Sequence, residues 1–455
     1  MDENTEYPNT PEYMKRLTKK LEPSDDIVQN TLTIEGKKVH LLFLKSVVDP
    51  LQLQSVIVKP FFEMKEERHY AEYINSLPYK TKLPSGDREV MIELTKGNVL
   101  VMVNNQLTLL ELKIVANNMV QEADLEPTMH GPQMGMSESL EININIIRQR
   151  YHDPSLIVET LELDEQSNRG IALLYDKDRV RPGVLDKIKE RLQPLDVELV
   201  QAADELIYYL NNKKRSLFPT SLLSGRPDRL INNITAGKVI ILVDGSPHAI
   251  VAPIVFFDFM ASMEDRYHSY WIMVGAMILR YGGLFTCLML PGAYVGITSY
   301  NPDVFRTELA LTVAASRIGV PYPSFIEVFF MLIFIELLTE ASLRLPVSIS
   351  ATATTVGGLI LGTAVVEAAL ASNIIVIVVS LVAISTFVIP INEMSYAIRI
   401  CRFFLLLYAT LFGLAGLVLG MLGIIMFLSN KDSLGQPYLR MYWWDREEEL
   451  KAGKR

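Results

Sequence analysis

The sequence predicts an α/β cytoplasmic N-terminal region of two similar subdomains, followed by an all-α polytopic membrane domain. Three observations carry this expectation. Of the 43 basic and 52 acidic residues, only 18 fall in the 190 positions from Val239 to Leu428, and no lysine occurs between Lys238 and Lys431. Three long apolar runs follow one another from Phe325 to Pro390, each close to the ~17–25 residues that a helix needs to cross a hydrocarbon core. A pattern of strand, turn and helix in the first hundred residues recurs farther along the chain.

In chain order, residues 1–35 are polar, carry Pro8, Pro11 and Pro23, and read as an N-terminal arm or short helix. KVHLLFLKSVVD (Lys38–Asp49) reads as a buried strand and a turn. Pro50 then suits the first position of a helix through LQLQSVIVKPFF. A second helix is expected around Glu66–Leu77. NVLVMVNNQLTLLEL (Asn98–Leu112) has the form of a hairpin turning at Asn104–Asn105. Residues 117–136, with Gly131, Pro132 and Gly135, read as a linker, so the first subdomain is drawn at 36–135.

The second subdomain, 136–252, repeats the first. Gly170–Leu192 again gives a strand, a proline and an amphipathic helix, at an offset of about 132. ITAGKVIILVDGSPHAIVA (Ile234–Ala252) lies over LTKGNVLVMVNNQLTLLEL at an offset of 140, with Gly237 on Gly97 and Asp244–Gly245 on Asn104–Asn105. The bland alternative is chance similarity between generic hairpins. If the repeat holds, Val239–Val251 is a soluble hairpin and not a membrane span. Asp244, Gly245, Ser246 and Pro247 then form its turn, each explained by turn chemistry, with coupling at the membrane face as their functional reading.

Residues 253–270 are amphipathic, end in charge and suit an interfacial helix. About five spans are expected in 271–428: Trp271–Thr298, Phe325–Glu340, Thr352–Ala371, Asn373–Ile389 and Phe403–Leu428. Residues 429–455 form a charged tail. With the soluble region inside, five crossings place Arg344, Arg399 and Arg402 on the cytoplasmic side, as the positive-inside rule asks. The same count places the basic tail outside, a misfit that a broken or re-entrant first or last run removes. MDENTEYPNTPEYMKRLTKK has no apolar signal-peptide core, which leads to the expectation of a cytoplasmic soluble region.

The net charge of −9 and the absence of a long basic run argue against a nucleic-acid partner. Cys287 and Cys401 lie in or beside apolar runs, so no disulfide framework is expected. No phosphate loop, dinucleotide fingerprint, HExxH or GxSxG motif is present, and the six histidines are scattered. The reading is therefore of a chain that is not an enzyme and needs no cofactor. Glu336, Glu340 and Arg344 lie four apart in the favourable order for helical ion pairs and read as a structural pair near the membrane boundary. Gly358–Gly362 and Gly416–Gly420 have the spacing of helix-packing faces.

From about Leu217 onward several segments resemble one family, the A subunits of GerA-type spore germinant receptors of endospore-forming bacteria. They are GRPDRLINNITAGKVIILVDGSPHAIVAP (Gly225–Pro253), LPGAYVGITSYNPDVFRTEL (Leu290–Leu309), SRIGVPYPSFIEVFFM (Ser316–Met331), FIELLTEASLRLP (Phe334–Pro346), VGGLILGTAVVEAALAS (Val356–Ser372) and FVIPINEMSYAIRICRF (Phe387–Phe403). Arg306 stands where proline is usual in the family, and Thr339 where arginine is usual. The first 210 residues carry little of the resemblance by themselves. What it implies is a subunit of a nutrient receptor in the spore inner membrane. Its partners would be a transporter-like B subunit that binds the nutrient and a lipoprotein C subunit. The A subunit would be a ring-forming, nutrient-gated ion channel, a homo-oligomer of pentameric order in contact with membrane lipid.

Within that expectation the Thr352–Ala371 run is the pore candidate. Thr352, Thr355, Leu359, Thr363 and Glu367 share one helix face, and a Thr/Glu stripe suits a water-lined cation path. The bland reading is that the threonine hydroxyls bond their own helix and Glu367 meets a neighbouring one. Two rivals to the channel stand beside it: a non-conducting membrane scaffold or signalling subunit, and a secondary transporter, which would show inverted repeats and broken helices in both halves.

Overall fold

The computed structural model describes residues 10–34, 36–114, 126, 128, 130–162, 170–181, 183–192, 200, 202–211 and 216–440. The chain divides into two compact units. One holds residues 1–215 and 220–253, the other residues 216–219 and 254–455.

In the first unit, α1 (Thr10–Leu21), β1 (Ile27–Ile34) and β2 (Lys37–Leu44) come first. A helix follows that opens as Pro50–Gln52, widens to a π-helix over Leu53–Val58 and closes as Lys59–Glu63 (α2). Then come α3 (Glu67–Ser76), β3 (Lys80–Thr81), α4 (Asp87–Thr95), β4 (Asn98–Val103) and β5 (Gln106–Glu111). The strands form an antiparallel sheet in the order β1-β2-β4-β5-β3. Its centre, NVLVMV, is buried along its whole length, because both sheet faces are covered. Leu17 and Leu94 pack on Leu42 and Leu100 on one face, while Phe61 and Tyr70 pack on Val39 and Val101 on the other. Asn104 and Asn105, both at positive φ, make the tight turn between β4 and β5.

The second half contains α5 (Leu140–Arg150), β6 (Leu156–Glu162), β7 (Gly170–Asp176), α6 (Val184–Leu192), α7 (Ala203–Leu210), β8 (Leu222–Ser224), α8 (Pro227–Thr235), β9 (Val239–Val243) and β10 (Ala249–Ala252). Its sheet has the order β6-β7-β9-β10-β8, the same as the first. The register also repeats: Val39 faces Val103 and Leu41 faces Val101, while Ile171 faces Val243 and Leu173 faces Ile241. Those pairs reproduce the offsets of 132 and 140 read from the sequence. Gly97 and Gly237 close the corresponding helices at positive φ, where a Cβ would come within 2.6 Å of Lys113 and 2.4 Å of the Arg179 carbonyl respectively. Glycine at both points is required by strain and by space. Residues 239–252 are thus a hairpin of the second sheet.

The two halves are joined around Asp26. The Arg148 side chain reaches from α5 to bond Asp26 at 3.1 and 3.0 Å and Ser24 at 3.1 Å. Ser46 donates to the same carboxylate at 2.6 Å. Arg148 and Asp26 are 1% and 2% exposed. The backbone beside them completes the seam: Asp25 N–H donates to Val158 O at 2.8 Å, and Thr160 N–H donates to the Asp25 side chain. Burial raises the Asp26 carboxyl, but the Arg148 guanidinium and the serine hydroxyls outweigh it and hold the group below its ordinary value. Part of the stretch read as a linker is also anchored: Arg226 donates to the Glu126 and Pro132 carbonyls and to Thr128.

The second unit begins with two short 3-10 turns, Phe256–Met260 and Met263–Arg266, in place of the single interfacial helix expected over 253–270. The Asp258 and Asp265 carboxylates accept the N–H groups of Val255 and Ser262 and cap each turn after one winding. Six helical runs follow. They are α9 (Tyr270–Tyr300), α10 (Thr307–Ser316, a short excursion), α11 (Ser324–Arg344), α12 (Val347–Glu367), α13 (Asn373–Phe387) and α14 (Asn392–Ser429). Three are long and apolar enough to cross a membrane: α9, Ile349–Glu367 within α12, and α14. α11 has 21 residues but carries Glu327, Glu336, Glu340 and Arg344, and α13 has only 15.

α14 is not one straight helix. Gly413 sits at φ 63° and ψ −145°, a region open essentially to glycine alone. The chain reverses there. A Cβ on Gly416 would lie 2.1 Å from the Tyr408 carbonyl, and one on Gly420 would lie 2.9 Å from Leu405. The Gly416–Gly420 face therefore packs the second limb on the first. The break frees carbonyls that water cannot reach in a membrane, and the Tyr300 hydroxyl donates to one of them, Thr410 O. Both limbs run along α9, since Gly292 is next to Leu405, Ala409 and Leu417. After the second limb, Tyr438 accepts the Phe256 N–H at 2.9 Å and donates to Pro219 O at 2.6 Å. The end of the helical unit thus lies beside its beginning.

Two predictions follow from these joints. The Asp26 contribution is complete above the unfolded carboxylate value near ~4 and is lost as pH falls through the lower folded value. Acidification of the full-length protein should therefore show a near-UV circular dichroism step below about pH 4 that is missing in Asp26→Asn. Gly413→Ala places a Cβ 2.9 Å from the Tyr300 ring in a conformation costing ~1–3 kcal/mol. Its thermal midpoint should fall by several degrees, and an unchanged midpoint would show that the reversal tolerates a side chain.

Candidate functional site

Of the three helices long and apolar enough to cross a membrane, α12 is the least buried. Thr352, Thr355, Leu359, Thr363 and Glu367 are all exposed, with Leu359 at 68%, so the stripe forms one open face of a single chain. The threonine hydroxyls donate along their own helix: Thr355 to Ala351 O at 2.8 Å and Thr363 to Leu359 O at 3.0 Å. That leaves their oxygen lone pairs for an outside donor or ion. Glu367 ends the stripe and makes no ion pair among the described residues. On the packed side, Leu338 of α11 lies against Gly357 and Gly358, whereas no neighbour approaches Gly362.

Arginine meets carboxylate at four places among the described residues of the helical unit. Asp265 binds Arg280 at 2.7 Å, pinning the second 3-10 turn to α9. Arg317, just after α10, binds Glu327 at 3.0 Å, and the other Glu327 oxygen accepts the Ser372 N–H at 3.4 Å. Glu327 is 1% exposed, so this bond ties the α10 excursion to the turn between α12 and α13. Arg344 binds Glu340 at 2.7 Å, but both side chains are largely exposed, at 79% and 55%. Glu336 does not join them. It binds Arg399 at 2.9 Å and also binds Arg402, two residues of α14 that lie far along the chain.

Arg402 is 1% exposed, with the Cys287 sulfur 3.9 Å from its Nη1. From the sequence, Arg399 and Arg402 bear only on orientation, through the positive-inside rule. Their spacing of three, which places both on one face of the helix, was the available signal that they act together. The two cysteines are buried and free.

Asp244–Pro247 is held within the first unit. Gly245 is at φ 81°, its N–H donates to Glu138 O at 2.8 Å, and the Asp244 carboxylate accepts the Leu140 N–H at 3.1 Å, capping α5. The Ser246 hydroxyl accepts the Ala203 N–H at 3.4 Å. The turn therefore fixes the starts of two helices.

Removing Glu336 leaves two covered guanidiniums without their carboxylate, and breaking a buried pair typically costs ~3–5 kcal/mol. An exposed pair such as Glu340–Arg344 contributes ~0–1 kcal/mol. Quantitative blots of membrane fractions should show Glu336→Leu strongly depleted and Arg344→Leu close to wild type. The reverse order would mean that the exposed pair, not the buried cluster, holds the unit together.

Residues 15–452 match the family described as Bacillus/Clostridium GerA spore germination protein. Curated relatives include spore germination protein GerLA of Bacillus cereus, 29% identical over 94% of this chain and 89% of that one. Spore germination protein A1 of Bacillus subtilis is 31% identical over 92% and 88%. A B. subtilis relative called uncharacterized membrane protein YfkQ is 29% identical over 95% and 86%. Among solved structures, the N-terminal domain of the A subunit of the Bacillus megaterium spore germinant receptor GerK3 is 18% identical. It covers 53% of this chain and 94% of that one, with a TM-score of 0.41.

Proposed function

The chain belongs to the Bacillus/Clostridium GerA spore germination protein family, and we propose that it is the A subunit of a germinant receptor, acting as an oligomeric, nutrient-gated ion channel. The observation that carries the reading is the open face of α12. A threonine and glutamate stripe exposed on an otherwise apolar helix is costly against lipid. It is stable if identical subunits turn it toward a shared water-filled axis. Rings of Thr355, Thr363 and Glu367 would then attract cations, with Leu359 as an apolar constriction that closes by dewetting. A pentamer is the expected ring. Nutrient binding is assigned to a transporter-like B subunit, with a lipoprotein C subunit as the third partner and the spore inner membrane as the location.

The direction of the helical runs supports a topology for this role. α9, α11, α12, α13 and the two limbs of α14 alternate, and the end of the unit returns beside its start. Six alternating crossings would return residues 429–440 to the side from which α9 departs. The positive-inside rule favours that arrangement. A second reading, a non-conducting scaffold, draws on the threonine hydroxyls that already bond their own helix.

The experiment is a cysteine scan from Thr352 to Leu370 in a background lacking Cys287 and Cys401, with single-channel recording of the same proteins in planar bilayers. Labelling should recur every three to four positions in phase with Thr355 and Glu367. Leu359→Ala should leak, and Glu367→Gln should conduct cations less without loss of assembly. Flat labelling and silent bilayers would favour the scaffold.

A further inference from the structure

We propose that the cleft between α11, α13 and α14 is a binding site for a phosphate-type oxyanion. The pocket holds about 160 Å³, the volume of about five waters, which fits a phosphorus atom and its oxygens. The charged groups in its wall are Glu336, Arg399 and Arg402. One carboxylate shared by two guanidiniums leaves the pocket with one uncompensated positive charge. In a helix bundle that charge is expensive unless an anion or water meets it. Arg402 is almost wholly buried, and the Nε atoms of both arginines are buried without a hydrogen-bond partner.

The rest of the wall is suited to an oxyanion. Asn392, Ser395 and Tyr396 bring amide and hydroxyl donors to the same pocket, while the Thr339 and Ser342 hydroxyls donate to carbonyls of their own helix. Paired guanidiniums match phosphate geometry better than they match a spherical ion. The pocket lies where the last turns of α11 and α13 meet the first turns of α14, which is the level of lipid headgroups if these helices span. Basic pockets between membrane helices at that level take acidic headgroups. The same chemistry would accept inorganic phosphate. The site lies away from the α12 stripe and does not depend on conduction.

The test uses the full-length protein in a neutral detergent, titrated with short-chain phosphatidylglycerol, inorganic phosphate and, as a control, short-chain phosphatidylcholine. Calorimetry and thermal midpoint are read together. Arg399→Gln leaves Glu336 and Arg402 as a neutral pair, and should weaken anion binding by about tenfold or more. Glu336→Gln raises the pocket charge and should tighten it. Binding of phosphatidylglycerol without phosphate identifies a headgroup site, and binding of both identifies a general oxyanion site. The proposal is overturned if neither anion binds or if phosphatidylcholine binds as well as phosphatidylglycerol. It is equally overturned if Arg399→Gln keeps wild-type affinity. Should Arg399→Gln fail to accumulate, Arg399→Lys keeps the charge without the fork and should bind more weakly than wild type. Equal binding there overturns the proposal too.

Discussion

The rule that a charge taken out of water must find a partner organises both units. In the first unit it acts through Asp26 and Arg148. The first sheet covers both its faces with its own helices. The seam between the two halves is polar, and it closes because a buried carboxylate on one half is met by a guanidinium from the other and by two serine hydroxyls. A pair of this kind adds little net energy against a well-packed apolar replacement, yet it is costly to break. It therefore selects one arrangement of the halves over others.

In the helical unit the same rule ties segments that are distant in sequence. Arg317 brings the α10 excursion to α11 through Glu327, and Arg280 brings the entry turns to α9 through Asp265. These three-dimensional staples compensate for the weak force between apolar helices in lipid, where close contact and polar bonds must do what the hydrophobic effect does in water. α12 is held by none of them. The α11–α12 turn and Leu338 hold one side of it, and its Thr and Glu face stays open to a partner outside the chain.

Much of this was legible in the sequence because it rests on local chemistry. The Asn104–Asn105 turn, the paired glycines at 97 and 237, and the apolar strands β4 and β9 are each dictated by residues within a few positions. What escaped was set at a distance. IVQNTLTI of β1 is a half-exposed edge strand, so its alternation is too weak to stand out from a polar arm. Glu336 has Glu340 and Arg344 as chain neighbours, and i,i+4 reasoning favours them, but its partners lie more than sixty residues away. Gly413 is one of several glycines in an unbroken apolar run, with no proline to mark the reversal, and only the backbone angles single it out.

The packing of α9 sets an order for biosynthesis. Gly292 and Gly296 belong to α9, and the side chains that fill their face, Ala409, Leu414 and Leu417, belong to α14, which leaves the ribosome later. More than a hundred residues separate them in the chain. At ~5–20 residues per second that is on the order of ten seconds of translation. For that interval the glycine face of α9 is held in the insertion machinery, in lipid, or against the same face of a neighbouring nascent chain. Chains emerging close together can therefore exchange their final helical pair before each closes on itself.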